Sequence, residues 1–178
     1  MQHIVTQFRD VSGLNWHFSA WSMLEYEQMS AETLLYELGY VLPLLPAPGG
    51  NYLSAKIVGN LVFLAGVIST DEREVIAGTV GQDRSVEDGY RAARYCALTQ
   101  LAVIRETLGT LDRVRQIVSV NGYVNSIAGF TDSPKVINGA SDLLVEVFGE
   151  AGRHVRAAIG VSALPRNALV ELQMVVAI

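Results

Sequence analysis

Residues 85–109 carry the longest regular pattern in this chain, and it limits the folds that the chain can adopt. Apolar residues recur there at spacings of three and four, which is the period of one face of an α-helix. Ser85 is a good N-cap and Gly109 a good stop, so the pattern predicts a helix between them. A helix of this length with a single apolar face needs a second layer to cover that face. The residues of the apolar face are Val86, Tyr90, Ala93, Ala97, Leu101, Ile104 and Leu108.

The remaining patterns alternate between strands and helices. A short helix capped by Ser30 precedes two strands in YLSAKIVGNLVFLAGVIS, which turn at residues 59–60. The segment RVRQIVSVNGYVNS alternates as a strand, a second long helix runs from about Asp132 to Gly149, and two more strands end the chain. This order predicts an α+β fold in which two long helices cover one face of a mixed sheet.

The length predicts one domain. A chain of 178 residues can bury a substantial core, and no composition shift marks a linker within residues 29–178. Residues 1–28 lack clear periodicity, and we interpret them as an N-terminal extension of uncertain order. Half of all residues are hydrophobic and only 17% are charged, which indicates that some surface is buried between copies of the chain.

Composition and motifs argue against several classes of protein. The net charge of -5, without a basic run, is unfavourable for nucleic-acid binding. The single cysteine, Cys96, permits no internal disulfide, which fits a buried structural thiol and a cytoplasmic location. No apolar run approaches the roughly 20 residues of a membrane span, and no signal-peptide pattern begins the sequence. The three histidines are scattered and neither a metal-binding motif nor a phosphate-loop motif is present, so neither a metal site nor a phosphate-binding loop has support.

The segment HVRAAIGVSALP, residues 154–165, is predicted to be a strand with two different faces. One face carries Arg156 followed by small residues at 158, 160 and 162, which predicts open space above the sheet. If residues 165–166 form a two-residue turn, Gly160 lies opposite Glu171, and Glu171 then shares a face with Arg156. Such a pair could hold a small carboxylate and activate a water, or it could be a structural ion pair. The pattern alone leaves both interpretations open.

Several longer strings resemble one known family. GYRAARYCAL, VNGYVNS, GFTDSPKVINGASDLLVEVFGEAGRH and VRAAIGVSALP are similar to the Rid family, also called YjgF or endoribonuclease L-PSP. The resemblance covers about residues 43–178. It implies a chorismate-mutase-like α+β fold and a homotrimer whose sheets enclose a central barrel, with helices outside and clefts between subunits. It also implies that no cofactor or metal is used.

The resemblance identifies four candidate site residues. The family's carboxylate-binding arginine, nine residues before a proline, corresponds to Arg156, and its glutamate corresponds to Glu171. The family's tyrosine corresponds to Tyr52, and the glycine that closes the next strand corresponds to Gly66. In active members the arginine holds the carboxylate of a 2-imino acid and the glutamate helps water to attack the imine carbon. The products are a 2-oxo acid and ammonia.

Two positions depart from the family pattern. The cysteine often found two residues after the arginine is Ala158 here. The asparagine early in the second long helix falls by spacing on Ser141, with Asn138 three residues earlier. Both departures concern the identity of the substrate rather than the fold.

Three functions follow from these observations. The first is hydrolytic deamination of small enamine or imine carboxylates, which removes reactive metabolites. The second is a trimeric binding protein that senses 2-oxo acids or related metabolites without turnover. The third is an RNA-cleaving translation inhibitor, which the negative charge and the absence of a basic or aromatic stripe disfavour. We therefore expect a small carboxylate metabolite and other copies of the chain as partners, and neither nucleic acid nor a membrane.

Overall fold

The computed structural model describes residues 29–45, 50–72 and 74–178, and the extension predicted for residues 1–28 lies outside these ranges. The helices are α1 (Ala31–Glu37), α2 (Val86–Leu108) and α3 (Ser133–Phe148). The strands are β1 (Ala55–Val58), β2 (Leu61–Leu64), β3 (Val67–Ile68), β4 (Thr70–Asp71), β5 (Glu74–Val75), β6 (Gln116–Asn125), β7 (Val155–Val161) and β8 (Val170–Ala177).

One mixed sheet organises the fold. Its strand order is β1-β2-β8-β6-β7, and β3 pairs with β8 beyond the end of β2. Strands β6 and β7 run parallel, whereas the other neighbours are antiparallel. Strands β1 and β7 are therefore the two edges of this sheet, and β8 and β6 lie in its middle.

Helices α2 and α3 pack against each other and against one face of the sheet. The predicted helix ends are confirmed: Ser85 Oγ accepts a hydrogen bond from the backbone N–H of Asp88, and Gly109 adopts a left-handed conformation with φ of 83°. Fully buried apolar residues fill the space between the layers, and Cys96 is among them. The predicted α+β architecture, with two long helices on one face of a mixed sheet, is confirmed. The largest buried apolar side chains are Leu64, Leu101, Ile104, Leu111, Ile117, Ile137, Leu143, Leu144, Leu169, Leu172 and Met174.

The predicted hairpin between the last two strands is wrong. Strands β7 and β8 are not neighbours, because β6 lies between them and pairs with both. The connection spans residues 162–169 and contains a short helical turn at Pro165–Asn167, which is long enough to carry the chain across the end of β6. The buried side chain of Asn125 stabilises this connection between β7 and β8, because its amide donates to the carbonyl of Gly78 and to the side-chain oxygen of Asn167.

No helix within residues 29–45, 50–72 and 74–178 combines the length and the apolar character that a membrane crossing requires.

Candidate active site

Arg156 lies on the edge strand β7, on the face of the sheet that carries the helices. It pairs in register with Val120, which is fully buried beneath them. Its guanidinium reaches α3, where Nη1 donates to Ser141 Oγ at 2.9 Å and Nη2 donates to the carbonyl of Pro134 at 3.2 Å. Arg156 remains solvent exposed, and no ion pair to it occurs among the described residues. An arginine has five N–H donors, so donors remain for a ligand.

The face of α3 that meets Arg156 also carries Asn138. Residues 134, 138 and 141 recur at helical spacing, so Asn138 lies between the two residues that hold the guanidinium. Of the predicted site residues, the structure therefore brings Ser141 into contact with Arg156 and places Asn138 on the same face of α3.

The space predicted above the small residues of β7 is partly filled by the protein itself. A Cβ added at Gly160 would lie 2.8 Å from Ser126 Oγ and 3.4 Å from Ser133 Oγ. Gly160 is therefore small because the chain entering α3 passes close to the strand, and not because a ligand needs the room there. Ala158 packs against the core.

His154 extends the cluster around Arg156. Its Nε2 lies 3.0 Å from Ser141 Oγ, and its Nδ1 lies 2.6 Å from the carbonyl of Gly152. Burial lowers the pKa of His154, and the positive charge of Arg156 lowers it further, although the contact with Gly152 opposes the shift. The imidazole is therefore neutral near pH 7. Sequence reasoning missed this residue, because nothing in the pattern linked a histidine before a strand to a helix earlier in the chain.

Glu171 lies on β8, on the opposite face from Arg156. It pairs with Tyr123 of β6, which in turn pairs with Ile159 of β7. Neighbours in register share a face and successive residues alternate, so Ile159 and Arg156 point to opposite sides. The expectation that Glu171 and Arg156 share a face is therefore wrong, because it depended on the hairpin that β6 interrupts.

The carboxylate of Glu171 lies directly against Gly66. A Cβ at Gly66 would overlap Glu171 Oε1 and would lie 3.3 Å from Cδ. Partial burial raises the pKa of the Glu171 carboxyl. A carboxylate whose pKa is raised is a stronger base than an ordinary glutamate, and this suits proton removal from water.

Gln100 holds the backbone beside Gly66 in place. Between β2 and β3 the register on β8 shifts by one residue, from Phe63 opposite Val175 to Val67 opposite Leu172, as in a β-bulge. Gln100 Nε2 donates to the carbonyls of Ala65 at 2.9 Å and Leu172 at 2.7 Å. Sequence reasoning missed this fully buried residue, although a glutamine directly before Leu101 of the apolar helix face was a usable signal.

Tyr52 is half exposed and lies three residues before β1. Strand β1 is the edge opposite β7, four strand spacings away, or roughly 19 Å. Within one chain the predicted site residues therefore lie in three places. Arg156, Ser141 and Asn138 lie at one edge of the sheet, Glu171 and Gly66 lie on the other face, and Tyr52 lies near the far edge.

The face of the sheet that carries Glu171 exposes a broad apolar surface, which we call the open face. Val58 (55% exposed) and Phe63 (44%) lie on β1 and β2, and Val155 (71%) and Ile159 (50%) lie on β7. Register places all four on the side opposite α2 and α3. Exposure of several large apolar side chains on one sheet face is typical of an interaction surface.

In the three described ranges, no cluster of three or more His, Cys, Asp or Glu side chains is suited to hold a metal ion.

A mixed sheet with two helices on one face, an open apolar face and an exposed guanidinium at its edge places the chain in the chorismate-mutase-like class of α+β proteins. The family model described as "YjgF/chorismate_mutase-like, putative endoribonuclease" matches residues 32–177. The chain belongs to this family, which is the Rid family that its sequence resembles.

Individual relatives agree with this assignment. The chain is 42% identical over 144 residues to protein TCP17 of Trypanosoma cruzi, covering 80% of this chain and 90% of the relative. It is 30% identical over 138 residues to a 2-iminobutanoate/2-iminopropanoate deaminase of Dermatophagoides farinae, covering 76% and 92%. A crystal structure of a protein of unknown function from Agrobacterium tumefaciens superposes with a TM-score of 0.76 at 40% identity, covering 83% and 92%.

Proposed function

We propose that this protein is a hydrolytic deaminase of small 2-imino carboxylates, which it converts to 2-oxo acids and ammonia. The observation that carries the proposal is Arg156, an exposed guanidinium without a protein carboxylate partner among the described residues, in a chain that belongs to the Rid family. A relative named for 2-iminobutanoate and 2-iminopropanoate deamination supports the substrate class. The planar fork of arginine matches a carboxylate and binds it through two parallel hydrogen bonds.

Glu171 supplies the base in this proposal. Its carboxylate takes a proton from water while the water oxygen bonds to the imine carbon, and the Glu171 carboxyl returns this proton to the nitrogen as the C=N double bond becomes single. Transfer of the hydroxyl proton of the resulting carbinolamine to the nitrogen then forms the C=O bond, breaks the C–N bond and releases ammonia. The raised pKa of Glu171 supports this role, because a base with a pKa nearer to neutrality removes a proton more effectively.

The two halves of the proposed site come from different copies of the chain. In one chain Arg156 and Glu171 lie on opposite faces of the sheet, and they are separated by two strand spacings and three residues, roughly 10 Å in each direction. A single chain therefore cannot present both to one small substrate. We propose a homotrimer in which Arg156, Ser141 and Asn138 of one copy face Glu171, Gly66 and Tyr52 of the next.

The open face supports this assembly. Its apolar residues are exposed in the single chain, and burying them against another copy is favourable by about 25 cal/mol per Å² of apolar surface. A closed ring of identical contacts would also cover the unpaired backbone groups of the edge strand β7. Because the ring is closed, it leaves no contact surface to which further copies could add.

Single substitutions test the proposal. With 2-iminobutanoate generated in the assay and 2-oxobutanoate as the binding probe, Arg156→Ala should weaken binding of the probe by about ten- to a hundredfold. The melting temperature should barely change, because Arg156 is exposed. Arg156→Lys should recover only part of the affinity, since a point charge lacks the planar fork. Arg153→Ala is the matched control, because Arg153 is an exposed arginine paired with Glu150.

Glu171→Gln separates catalysis from binding. The variant should bind 2-oxobutanoate but lose hydrolysis, because water activation needs the carboxylate and docking does not. Glu87→Gln, at an exposed position on α2, is the control. Binding without hydrolysis in the wild-type protein would refute the deaminase and favour a sensor of 2-oxo acids. RNA cleavage by a wild-type protein that neither binds 2-oxobutanoate nor hydrolyses 2-iminobutanoate would refute the deaminase and favour the RNA-cleaving alternative.

A further inference from the structure

The hydrogen bonds around Arg156 form a continuous chain that begins at the backbone of Gly152. From Gly152 the chain runs to Nδ1 of His154, from Nε2 of His154 to Oγ of Ser141, and from Ser141 to Nη1 of Arg156. The three separations are 2.6, 3.0 and 2.9 Å. Two of them fall in the usual range of hydrogen bonds, and the contact of His154 Nδ1 with the Gly152 carbonyl is slightly shorter.

The chemistry of the groups fixes the direction of each bond. The carbonyl of Gly152 can only accept, so Nδ1 of His154 carries the proton. In the neutral ring Nε2 is then an acceptor, and the hydroxyl of Ser141 donates to it. The oxygen of Ser141 thereby turns a lone pair toward Arg156, which can only donate. Every member is satisfied with one orientation, and burial of His154 keeps the ring in the neutral form that this orientation needs.

One hydrogen-bond partner of His154 lies on α3 and the other lies against it. A Cβ at Gly152 would lie 2.7 Å from the carbonyl carbon of Leu144, so the Gly152 backbone lies in close contact with the helix. Ser141 lies one turn earlier on the same helix. The imidazole of His154 therefore bridges two points of a rigid element, and its own orientation is fixed.

We propose that His154 is a positioning residue for the carboxylate clamp: through Ser141 it fixes the plane of the Arg156 guanidinium. The inference rests on the proposed function and adds to it a residue outside the family pattern described above. Ser141 holds Nη1 and the carbonyl of Pro134 holds Nη2. The two nitrogens and the attachment to the Arg156 side chain are three points that together set the plane of the guanidinium, and a bidentate contact with a carboxylate depends on that plane being set before the ligand arrives.

Matched variants test the inference. His154→Phe removes the acceptor, whereas His154→Gln can place its amide oxygen near the position of Nε2. His154→Phe and Ser141→Ala should each weaken binding of 2-oxobutanoate about three- to tenfold, and His154→Gln should recover most of the loss. In a double-mutant cycle His154→Phe should have no effect once Arg156 is alanine, because the effect passes through the guanidinium.

A spectroscopic measurement distinguishes positioning from a structural role. The chain has three histidines, so comparison with the His154→Phe spectrum assigns the imidazole ¹⁵N signals of His154. Free wild-type protein should show protonated Nδ1 and unprotonated Nε2, and 2-oxobutanoate should shift the Nε2 signal in wild type but not in Ser141→Ala.

The outcomes separate the two proposals. If wild type binds 2-oxobutanoate and Arg156→Ala does not, but His154→Phe binds like wild type, the positioning role of His154 is refuted and the proposed function stands. If wild type does not bind the probe, the proposed function fails, and the role of His154 in it fails as well. If His154→Phe loses affinity equally in the Arg156→Ala background, the loss comes from damage to the fold, and the positioning role is refuted.

Discussion

Replacing Gln100 with leucine should destabilise the protein, although leucine has a similar size and is apolar. Gln100 is fully buried, and its Nε2 supplies both hydrogen bonds at the register shift, to the carbonyls of Ala65 and Leu172. Leucine would remove both of these buried hydrogen bonds, at a cost of about 1–3 kcal/mol each. The substitution also removes Gln100 Oε1, which is buried and has no hydrogen-bond partner in the described part of the chain. This partial relief leaves a net loss of about 2–4 kcal/mol.

Thermal and chemical denaturation at fixed protein concentration measure this loss. At about 3 °C per kcal/mol for a domain of this size, the melting temperature should fall by roughly 6–12 °C. Gln82→Leu, at an exposed turn position, is the control and should change the stability by less than about 0.5 kcal/mol. An unchanged or higher melting temperature for Gln100→Leu would refute the reasoning, because it would show that the two carbonyls do not need this donor.

Other expectations follow from single contacts. Ser85→Ala should cost about 1 kcal/mol in chemical denaturation, because it removes the cap of α2. Hydrogen bonds from Ser85 and Arg91 lower the pKa of Asp88 to about 2. The ionised carboxylate therefore stabilises the fold at pH values above its ordinary pKa, and this contribution is lost as the pH falls toward 2. Asp88→Asn should abolish this part of the pH dependence of stability. Glu171→Gln should raise the melting temperature at pH 7 but not at pH 3, because a raised folded-state pKa makes ionisation of Glu171 destabilising as the pH rises. The Cys96 thiol should resist alkylation in the native state, since burial raises its pKa and excludes reagent. If the proposed trimer forms through the open face, Phe63→Asp should shift the sedimentation profile from trimer to monomer while the helical circular dichroism persists, because Phe63 lies on the open face and outside the core.

Helix positions could be predicted from sequence because capping and periodicity are local. Ser85 and Gly109 mark the ends of α2 in the structure as they do in the pattern. Strand neighbours could not be predicted in the same way. Alternation shows that residues 155–161 form a strand, but it does not show that β6 lies between this strand and β8. The wrong pairing placed Glu171 on the face of Arg156.

For the candidate site, the sequence could suggest the residues but not their arrangement in space. Resemblance to the family identified Arg156 and Glu171, but their placement on opposite faces required the three-dimensional register. The groups that hold the Arg156 guanidinium, Ser141 Oγ and the carbonyl of Pro134, lie on α3, which approaches β7 only in the folded chain. No local sequence rule connects them.

Mixing two inactive variants tests most directly whether Arg156 of one copy acts with Glu171 of another. Glu171→Gln is expected to be inactive alone, and Arg156→Ala is expected to be nearly inactive at substrate concentrations well below its weakened dissociation constant. In trimers formed by co-expressing both in equal amounts, a site is complete when its arginine comes from a Glu171→Gln chain and its glutamate from an Arg156→Ala chain. Random assembly makes this combination in about one quarter of the sites, so 2-iminobutanoate hydrolysis should return to about one quarter of the wild-type rate. Mixed trimers no more active than either variant alone would contradict a site shared between copies.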